Sequence, residues 1–228
     1  MPQKNSIKNY LADGYYHIYN RGVEKRKIFL DAQDYKVFLK YLKEYLSPTE
    51  KPENLKTIFT LQGASFKGIP RQRKNYLTQI NLHAFCLMPN HFHLLLKQSM
   101  DNSMEKFMRS MCTRYSMYFN KKYQRVGKLF QGHYKAVLIS EENYLLHLSR
   151  YIHLNPSEHT KNLTEAYSSY ADYLKRRKTD WLNSKFLLSF FENATAPDFK
   201  KFNSYQKFVE ENARNVRLTL GNLTLEDD

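Results

Sequence analysis

Cysteine is scarce in this chain, which has only Cys86 and Cys112 among its 228 residues. Two cysteines are too few for the disulfide framework of small secreted domains, so we expect a reducing cytosol. Residues 1–10 lack the apolar core of a signal peptide, and no uninterrupted apolar run approaches the length that spans a bilayer. Internal repeats and low-complexity tracts are also lacking. The sequence therefore predicts a soluble cytoplasmic protein without a membrane partner.

Positive charge and aromatic side chains are abundant. Lys and Arg number 36 against 22 Asp and Glu, which gives a formal net charge of +14. Such an excess is typical of proteins that bind an anionic polymer, although some soluble proteins are simply basic. The chain also has 18 Tyr and 15 Phe, and aromatic rings interleaved with cations suit unstacked nucleic-acid bases. The composition favours a nucleic-acid partner.

Residues 82–97 (LHAFCLMPNHFHLLLK) contain two apolar runs on either side of a turn dipeptide, Pro89-Asn90. The second run predicts a strand in which His91 and His93 share one face, with Cα atoms roughly 6.6 Å apart. Two imidazoles at this spacing can converge on one cation or one phosphate. A pair of surface histidines without a function fits the spacing equally well.

The remaining pattern predicts alternating strands and helices. A strand over 15–21 precedes an amphipathic helix capped by Asp31, and a Pro- and Gly-punctuated basic segment over 47–75 contains a short strand at 57–61. A long helix is predicted over about 102–123, a strand over 133–139, and a helix that Ser140 caps and that ends near Pro156. Two further helical patterns cover about 184–193 and 198–213.

The helix over 141–155 has two distinct sides. Three aliphatic residues form its predicted buried side, and a neighbouring polar arc carries Tyr144, His147, Tyr151 and Asn155. Tyr151 and Asn155 lie one turn apart, so that a phenol and an amide project together. An ordinary half-exposed amphipathic helix has the same pattern.

Four motifs occur in an order that resembles the HUH nucleases, and in particular the single-tyrosine transposases of insertion sequences in their REP-associated branch. The motifs are YHIYNRG (16–22), MPNHFHLLL (88–96), GKLFQGHYKA (127–136) and RYIHLNP (150–156). The YSSY stretch at 167–170 is also similar, and the resemblance covers about residues 14–175. HFH alone is weakly specific, whereas the ordered set is fairly specific.

This resemblance implies an α+β fold with a ferredoxin-like HUH nuclease core, in which an antiparallel sheet carries helices on one side. The nuclease domain would cover residues 1–178, with the basic loop 47–75 as an insertion outside the short form of the family. Residues 179–228 would form a helical C-terminal extension with a frayed tail.

The resemblance also implies a site. His91, His93 and Asn155 would hold a divalent metal, Mg²⁺ or Mn²⁺, and Tyr151 would be the nucleophile. Expected DNA contacts are Arg21, Lys128, His133, Lys135 and Arg150. His133 stands where relatives often carry Arg, which puts this one contact in doubt.

The implied activity is that of a transposase, a metal-dependent endonuclease and strand transferase acting on single-stranded or hairpin DNA. Tyr151 would attack in line to leave a 5′-phosphotyrosine and a free 3′-OH, so that a second 3′-OH can reseal the strand without ATP. A homodimer is compatible with the resemblance, since in some relatives the tyrosine helix of one subunit completes the site of its partner. A nucleoid-associated cytoplasmic protein is expected.

Three alternatives remain open at this point. Tyr144 shares the polar arc with Tyr151 and is a second candidate nucleophile, although it lacks an amide one turn later. A domesticated relative could bind hairpins without cutting them. A zinc site from His83, Cys86, His91 and His93 has no standard finger spacing.

Overall fold

The structure is a computed structural model that describes residues 10–49, 52–192, 202 and 204–211. Its strands and helices, in chain order, are β1 (Tyr15–Arg21), α1 (Ala32–Leu46), β2 (Thr57–Leu61), β3 (Ala64–Gly68), β4 (Ile80–Met88), β5 (His91–Gln98), α2 (Ser103–Lys122), β6 (Lys135–Ile139), α3 (Glu142–Leu154), α4 (Tyr170–Tyr173), α5 (Lys185–Glu192) and α6 (Tyr205–Glu210). Within this described part, no helix is both long and apolar enough to cross a bilayer.

The main sheet has four strands in the order β4-β5-β1-β6, and every neighbouring pair is antiparallel. In the chain these strands alternate with α1 and α2 as β1-α1-β4-β5-α2-β6. This is the βαββαβ arrangement of the ferredoxin-like fold. The predicted fold class is confirmed.

The sheet separates two apolar cores because successive strand residues point to opposite faces. Ile18 and Phe92 belong to the core beneath α1 and α2, whereas Leu95 and Ile139 belong to the core beneath α3. Helices therefore cover both faces of the sheet. Helices α1 and α2 lie on one side, as predicted, and α3 lies on the other side. The second face matters for function because His17, His93 and Leu95 point toward it.

Helix α1 begins at a capping box. The Asp31 side chain accepts hydrogen bonds from the backbone N–H groups of Gln33 and Asp34, and the Asp34 side chain accepts one from the Asp31 N–H. The predicted cap is confirmed. Asp34 is fully buried and also binds Lys122 of α2 at 2.8 Å, which fixes α1 against the end of α2.

The segment between α1 and β4 contains a separate hairpin. β2 and β3 pair around Gln62-Gly63, both of which have positive φ as a two-residue hairpin turn requires. Asn75 closes the base of the segment by donating to the Ser47 carbonyl at 2.7 Å. The strand predicted at 57–61 is confirmed, and nearly all residues of both strands are exposed.

Helix α3 differs from its prediction at both ends. Its N-cap is Glu141 rather than Ser140, and no side chain caps it. The other end of α3 continues into a short 3-10 helix over Asn155–Glu158. Pro156 lies in the first turn of this helix, where a backbone N–H group would have no acceptor within the helix. Asn155 keeps helical dihedral angles (φ −48°, ψ −42°) although it precedes a proline.

The chain beyond α3 packs back onto the second face. The 167–170 stretch lies along the free edge of β4, where Ser168 bridges Cys86 and the Ser169 N–H donates to the Phe85 carbonyl at 2.9 Å. Helices α5 and α6 contribute Leu187 and Phe208 to the core beneath α3. The helix predicted over 184–193 extends from Lys185 to Glu192. Within the pattern predicted over 198–213, the structure has a helix at Tyr205–Glu210, and other parts of this pattern lie outside the described residues. The division at residues 178 and 179 stays a prediction.

Candidate active site

Two histidines of β5 lie side by side at the end of the sheet where β4 turns into β5. The His91 and His93 rings are nearly perpendicular with centroids 4.9 Å apart. Their register partners on β1 are Arg21 and Tyr19, which therefore lie on the same face of the sheet. The alternation expected from the HFH motif is confirmed.

His93 is fully buried, and its two nitrogens differ. Nδ1 is 2.9 Å from Nε2 of His17, whereas Nε2 is buried without a hydrogen-bond partner. Burial, together with the nearby His91 and His17, holds the pKa of His93 well below its usual range. The ring is neutral at physiological pH, so a buried lone pair is available on this residue.

His91 is half-buried, and its Nδ1 donates to Oδ1 of Asn90 at 2.6 Å. Burial lowers its pKa to about 4, although the Asn155 side chain acts in the opposite direction. The Arg21 charge lowers this pKa further. Because a neutral imidazole with its proton on Nδ1 has a lone pair on Nε2, His91 also offers an acceptor nitrogen.

Helix α3 brings Tyr151 and Asn155 to these histidines. Leu145 and Ile152 anchor the helix in the core beneath it, as the aliphatic side of the sequence pattern predicts. The Tyr151 ring is 5.3 Å from the His93 ring, centroid to centroid, and is 4% exposed. The Asn155 amide nitrogen donates to the Tyr151 carbonyl at 2.9 Å, which leaves its Oδ1 as the acceptor.

The donor set fits a divalent cation. Two neutral imidazole nitrogens and one amide oxygen meet, and the buried Nε2 of His93 lacks a protein partner. In the described part of the chain no three His, Cys, Asp or Glu side chains cluster as a metal centre. The Asn155 side chain is the third candidate ligand, because it interacts with the His91 ring.

Sequence reasoning missed His17. It is fully buried on β1, contacts His93 through its Nε2, and its ring centroid is 6.1 Å from that of Tyr151. The signal was present in the alternation of YHIYNRG, which puts His17 on the face of Tyr19 and Arg21. What the sequence could not supply was the pairing of β1 with β5.

Three of the five expected DNA contacts surround the same end of the sheet. Arg21 is half-buried and donates to the Gln131 side chain at 3.2 Å, while Lys128 and His133 are exposed. The Gln131 N–H donates to the Arg21 carbonyl, which joins the 127–134 loop to β1. Their contact with DNA stays a prediction.

The other two expected DNA contacts are buried. Lys135 is 9% exposed on β6, in register with Tyr19. Arg150 is 4% exposed, and its guanidinium lies 5.1 Å from the centre of the Phe208 ring of α6, with Nε donating to the Val209 carbonyl. Helix α6 covers this side of α3 and buries Arg150. The contact of Lys135 and Arg150 with DNA stays a prediction.

The residues of the alternative hypotheses, Tyr144 and the zinc set, have different surroundings. Tyr144 is 38% exposed and precedes Tyr151 by seven residues, or about 10 Å of helix. Of the zinc set, His83 donates through Nδ1 to the Asn183 carbonyl at 3.0 Å, and burial raises the pKa of the Cys86 thiol far above its usual range. A protonated thiol is a poor zinc ligand. Of the two tyrosines of the polar arc, Tyr151 is the one whose ring lies beside that of His93.

Residues 69–155 match the family model described as "Transposase IS200 like". This segment contains His91, His93, Tyr151 and Asn155. The resemblance that the motifs predict is confirmed over this segment, which carries the candidate site and is similar to the IS200-like transposases.

The chain is also similar to a solved structure of a REP-associated tyrosine transposase bound to a REP hairpin. The identity is 14%, the alignment covers 78% of this chain and 92% of that chain, and the TM-score is 0.47. The comparison with curated proteins finds no match.

Proposed function

We propose that this protein is a metal-dependent endonuclease and strand transferase that cleaves single-stranded or hairpin DNA through a 5′-phosphotyrosine. The observation that carries the proposal is the meeting of Tyr151 with the histidine pair in one buried corner, with ring centroids 5.3 Å apart. The family match over 69–155 supports the reaction class. One chain supplies all of these groups.

His91, His93 and Asn155 would hold the cation, Mg²⁺ or Mn²⁺. When bound, such a cation polarises the scissile phosphate and neutralises developing negative charge. The protein's own part is to keep both imidazoles neutral, since burial lowers both pKa values, and to aim their lone pairs. His17 orients His93 by occupying its Nδ1.

In the chemical step the Tyr151 hydroxyl oxygen attacks the phosphorus in line. A bond forms between this oxygen and phosphorus as the bond from phosphorus to the 3′-oxygen breaks. The tyrosine proton passes to solvent, and the leaving 3′-oxygen takes up a proton. Attack by a second 3′-OH on the phosphotyrosine reverses these changes and rejoins DNA, because the ester conserves the energy of the bond.

Arg21 supports the recognition of a phosphate at this site. It is the register partner of His91, and its charge reaches the His91 ring, as the lowered pKa of that ring indicates. A guanidinium can bind two phosphate oxygens at once. With a net charge of +14 the protein would associate with the nucleoid in the cytoplasm.

The test is to incubate the full chain with labelled hairpin-forming single strands and Mn²⁺ or Mg²⁺, and to separate the products on a denaturing gel. We expect a protease-sensitive protein–DNA adduct that needs the cation and disappears in Tyr151→Phe and His91→Ala. Tyr144→Phe is the matched control and should keep the adduct, because Tyr144 lies near the other end of α3.

Two results would contradict parts of the proposal. An adduct that persists in Tyr151→Phe and disappears in Tyr144→Phe would keep the reaction and change the nucleophile. Tight binding with no adduct, over a broad pool of hairpins and with both cations, would replace the nuclease by a non-catalytic hairpin-binding protein.

A further inference from the structure

A basic groove lies at the end of β4 that is remote from the candidate site. The groove is a cavity of about 1070 Å³, and its lining includes Leu46, Leu77, the start of β4, and the basic run 175–178. Lys185, at the start of α5, lines it as well. The basic run and the segment around Leu77 are two parts of the sequence to which the proposed reaction gives no role.

The positive charge of this groove is only partly compensated. Arg177 binds Asp172 at 2.6 Å, and Lys178 is 3.5 Å from Asp180. Lys175, Arg176 and Lys185 are exposed, and none of them forms an ion pair with another residue that the structure describes. Three cations therefore remain available to an anionic ligand.

Hydrogen bonds and a ring contact hold the backbone that lines the groove. The Asn183 N–H donates to the Leu82 carbonyl at 2.8 Å, and the Asn183 carbonyl accepts from His83. The Trp181 ring stacks on Phe85, with centroids 5.7 Å apart and planes 21° apart. These contacts hold residues 181–183 against β4, so the backbone between the basic run and Lys185 has a defined position.

The chemistry of the lining favours phosphates over unstacked bases. The Trp181 ring is already stacked on Phe85 and is half-buried. Base-stacking platforms need exposed aromatic faces, whereas phosphate tracking needs exposed cations.

The distance between the groove and the candidate site indicates which part of a bound DNA the groove would contact. β4 runs from Ile80 at the groove to Met88, the register partner of His91, at the candidate site. Eight residue steps at about 3.3 Å each give roughly 26 Å. At 3.4 Å per base pair, this corresponds to about eight base pairs of duplex.

We infer that this groove binds the sugar-phosphate backbone of duplex DNA about eight base pairs away from the strand that enters the site, through Lys175, Arg176 and Lys185. The inference rests on the proposed function, because it takes its substrate from there. It adds a second contact that reads the length of a hairpin stem and not its sequence.

The test compares two hairpins that share one single-stranded flank and have stems of about 12 and about 4 base pairs, so that only the longer spans roughly 26 Å. Dissociation constants are measured without a divalent cation over a range of NaCl concentrations. The intact protein should bind the long stem more tightly. In Lys175→Glu/Arg176→Glu the dissociation constant for the long stem should rise about tenfold, and the salt slope should fall by about two.

Lys36→Glu/Lys121→Glu is the matched control. Both lysines are exposed on α1 and α2, and the change in net charge is the same. The control should keep the preference for the long stem. An equal loss of preference in the control would assign the effect to net charge, and an intact protein that binds both stems equally would show that the groove does not contact the stem.

Adduct formation on the short-stem hairpin distinguishes a failure of this inference from a failure of the proposed function. If the intact protein forms the adduct with the short stem but has no preference for the long one, the reaction stands and the groove inference fails. Thermal unfolding checks that both double variants are folded.

Discussion

Nε2 of His17 and Nδ1 of His93 lie 2.9 Å apart, and both side chains are fully buried. The rings are stacked, with centroids 5.1 Å apart and planes 21° apart. Because this contact occupies one nitrogen of His93, the other nitrogen is the one left to face the candidate site. A contact of this kind sets both the tautomer and the orientation of a ligating imidazole.

His17→Phe should weaken Mn²⁺ binding about 10- to 100-fold, which is the usual cost of losing the partner that orients a ligating histidine. An aromatic ring is kept, so packing in the sheet changes little. Mn²⁺ binding to the protein without DNA can be followed by the loss of the free-ion signal in electron paramagnetic resonance.

His17→Gln is the informative companion, because its amide oxygen can still accept a hydrogen bond from Nδ1 of His93. It should bind Mn²⁺ more tightly than His17→Phe. If both variants bind Mn²⁺ like the unsubstituted protein, His17 only fills space in the sheet.

Asn155→Ala should also weaken Mn²⁺ binding, since it removes the one oxygen donor of the proposed set. Asn155→Asp should keep or strengthen binding, because a carboxylate is a better ligand for a hard cation than an amide. Titration calorimetry with MnCl₂ measures both. Asn162→Ala is the control, because Asn162 is an exposed loop residue; an Asn155→Ala protein that binds no more weakly than this control would remove Asn155 from the set.

The elements of the sheet could be predicted from sequence because each one is locally consistent. β1 is rich in Tyr and Ile, β4 and β5 flank a turn dipeptide, and α1 has its capping residue at the right position. The motif order was specific enough to bring Tyr151 and the two histidines into one hypothesis. The structure places the Tyr151 ring beside that of His93, and the roles of these residues stay a prediction.

The burial of Arg150 could not be predicted, because it depends on a segment almost sixty residues later. Helix periodicity puts Arg150 beside the polar arc, but α6 covers that side and turns a surface position into a buried one. The same holds for His17, whose role depends on the neighbour that β1 acquires in the sheet. Periodicity predicts which face of an element a residue is on, and only tertiary pairing decides what that face meets.

Asp34→Ala should destabilise the fold by about 3–5 kcal/mol, because it leaves buried donors without their acceptor. Asp34 accepts from Lys122, Tyr118, Tyr123 and the Leu30 N–H. Burial acts to raise the pKa of this carboxyl, but the bond from Lys122 and these other donors together lower it. Urea unfolding measures the change.

Asp13→Ala is the control for that experiment. Asp13 also pairs with a lysine, Lys97, at 2.9 Å, but its side chain is 70% exposed. Exposed pairs of this kind contribute about 0–1 kcal/mol. Equal effects of the two substitutions would show that the buried network around Asp34 does not stabilise the contact between α1 and α2.

His83→Phe should flatten the pH dependence of stability on the acid side. Burial lowers the pKa of His83 to about 4, whereas an unfolded histidine titrates near about 6.5. Above about pH 6.5 both states are neutral and the stabilisation is complete. As the pH falls from about 6.5 to about 4 the unfolded chain takes up a proton that the folded chain excludes, and up to about 1.4 kcal/mol is lost per pH unit.

A phenylalanine ring in place of this imidazole cannot take up the proton, so the variant should lose less stability over that range. Urea unfolding at a series of pH values measures the slope for each protein. His133→Phe is the control for the substitution itself, because it makes the same replacement at a position that is exposed in the folded chain. If the curve of the His83→Phe variant instead runs parallel to that of the unsubstituted protein, the His83 ring is hydrated when the protein is folded, and its burial beneath α5 does not exclude the proton.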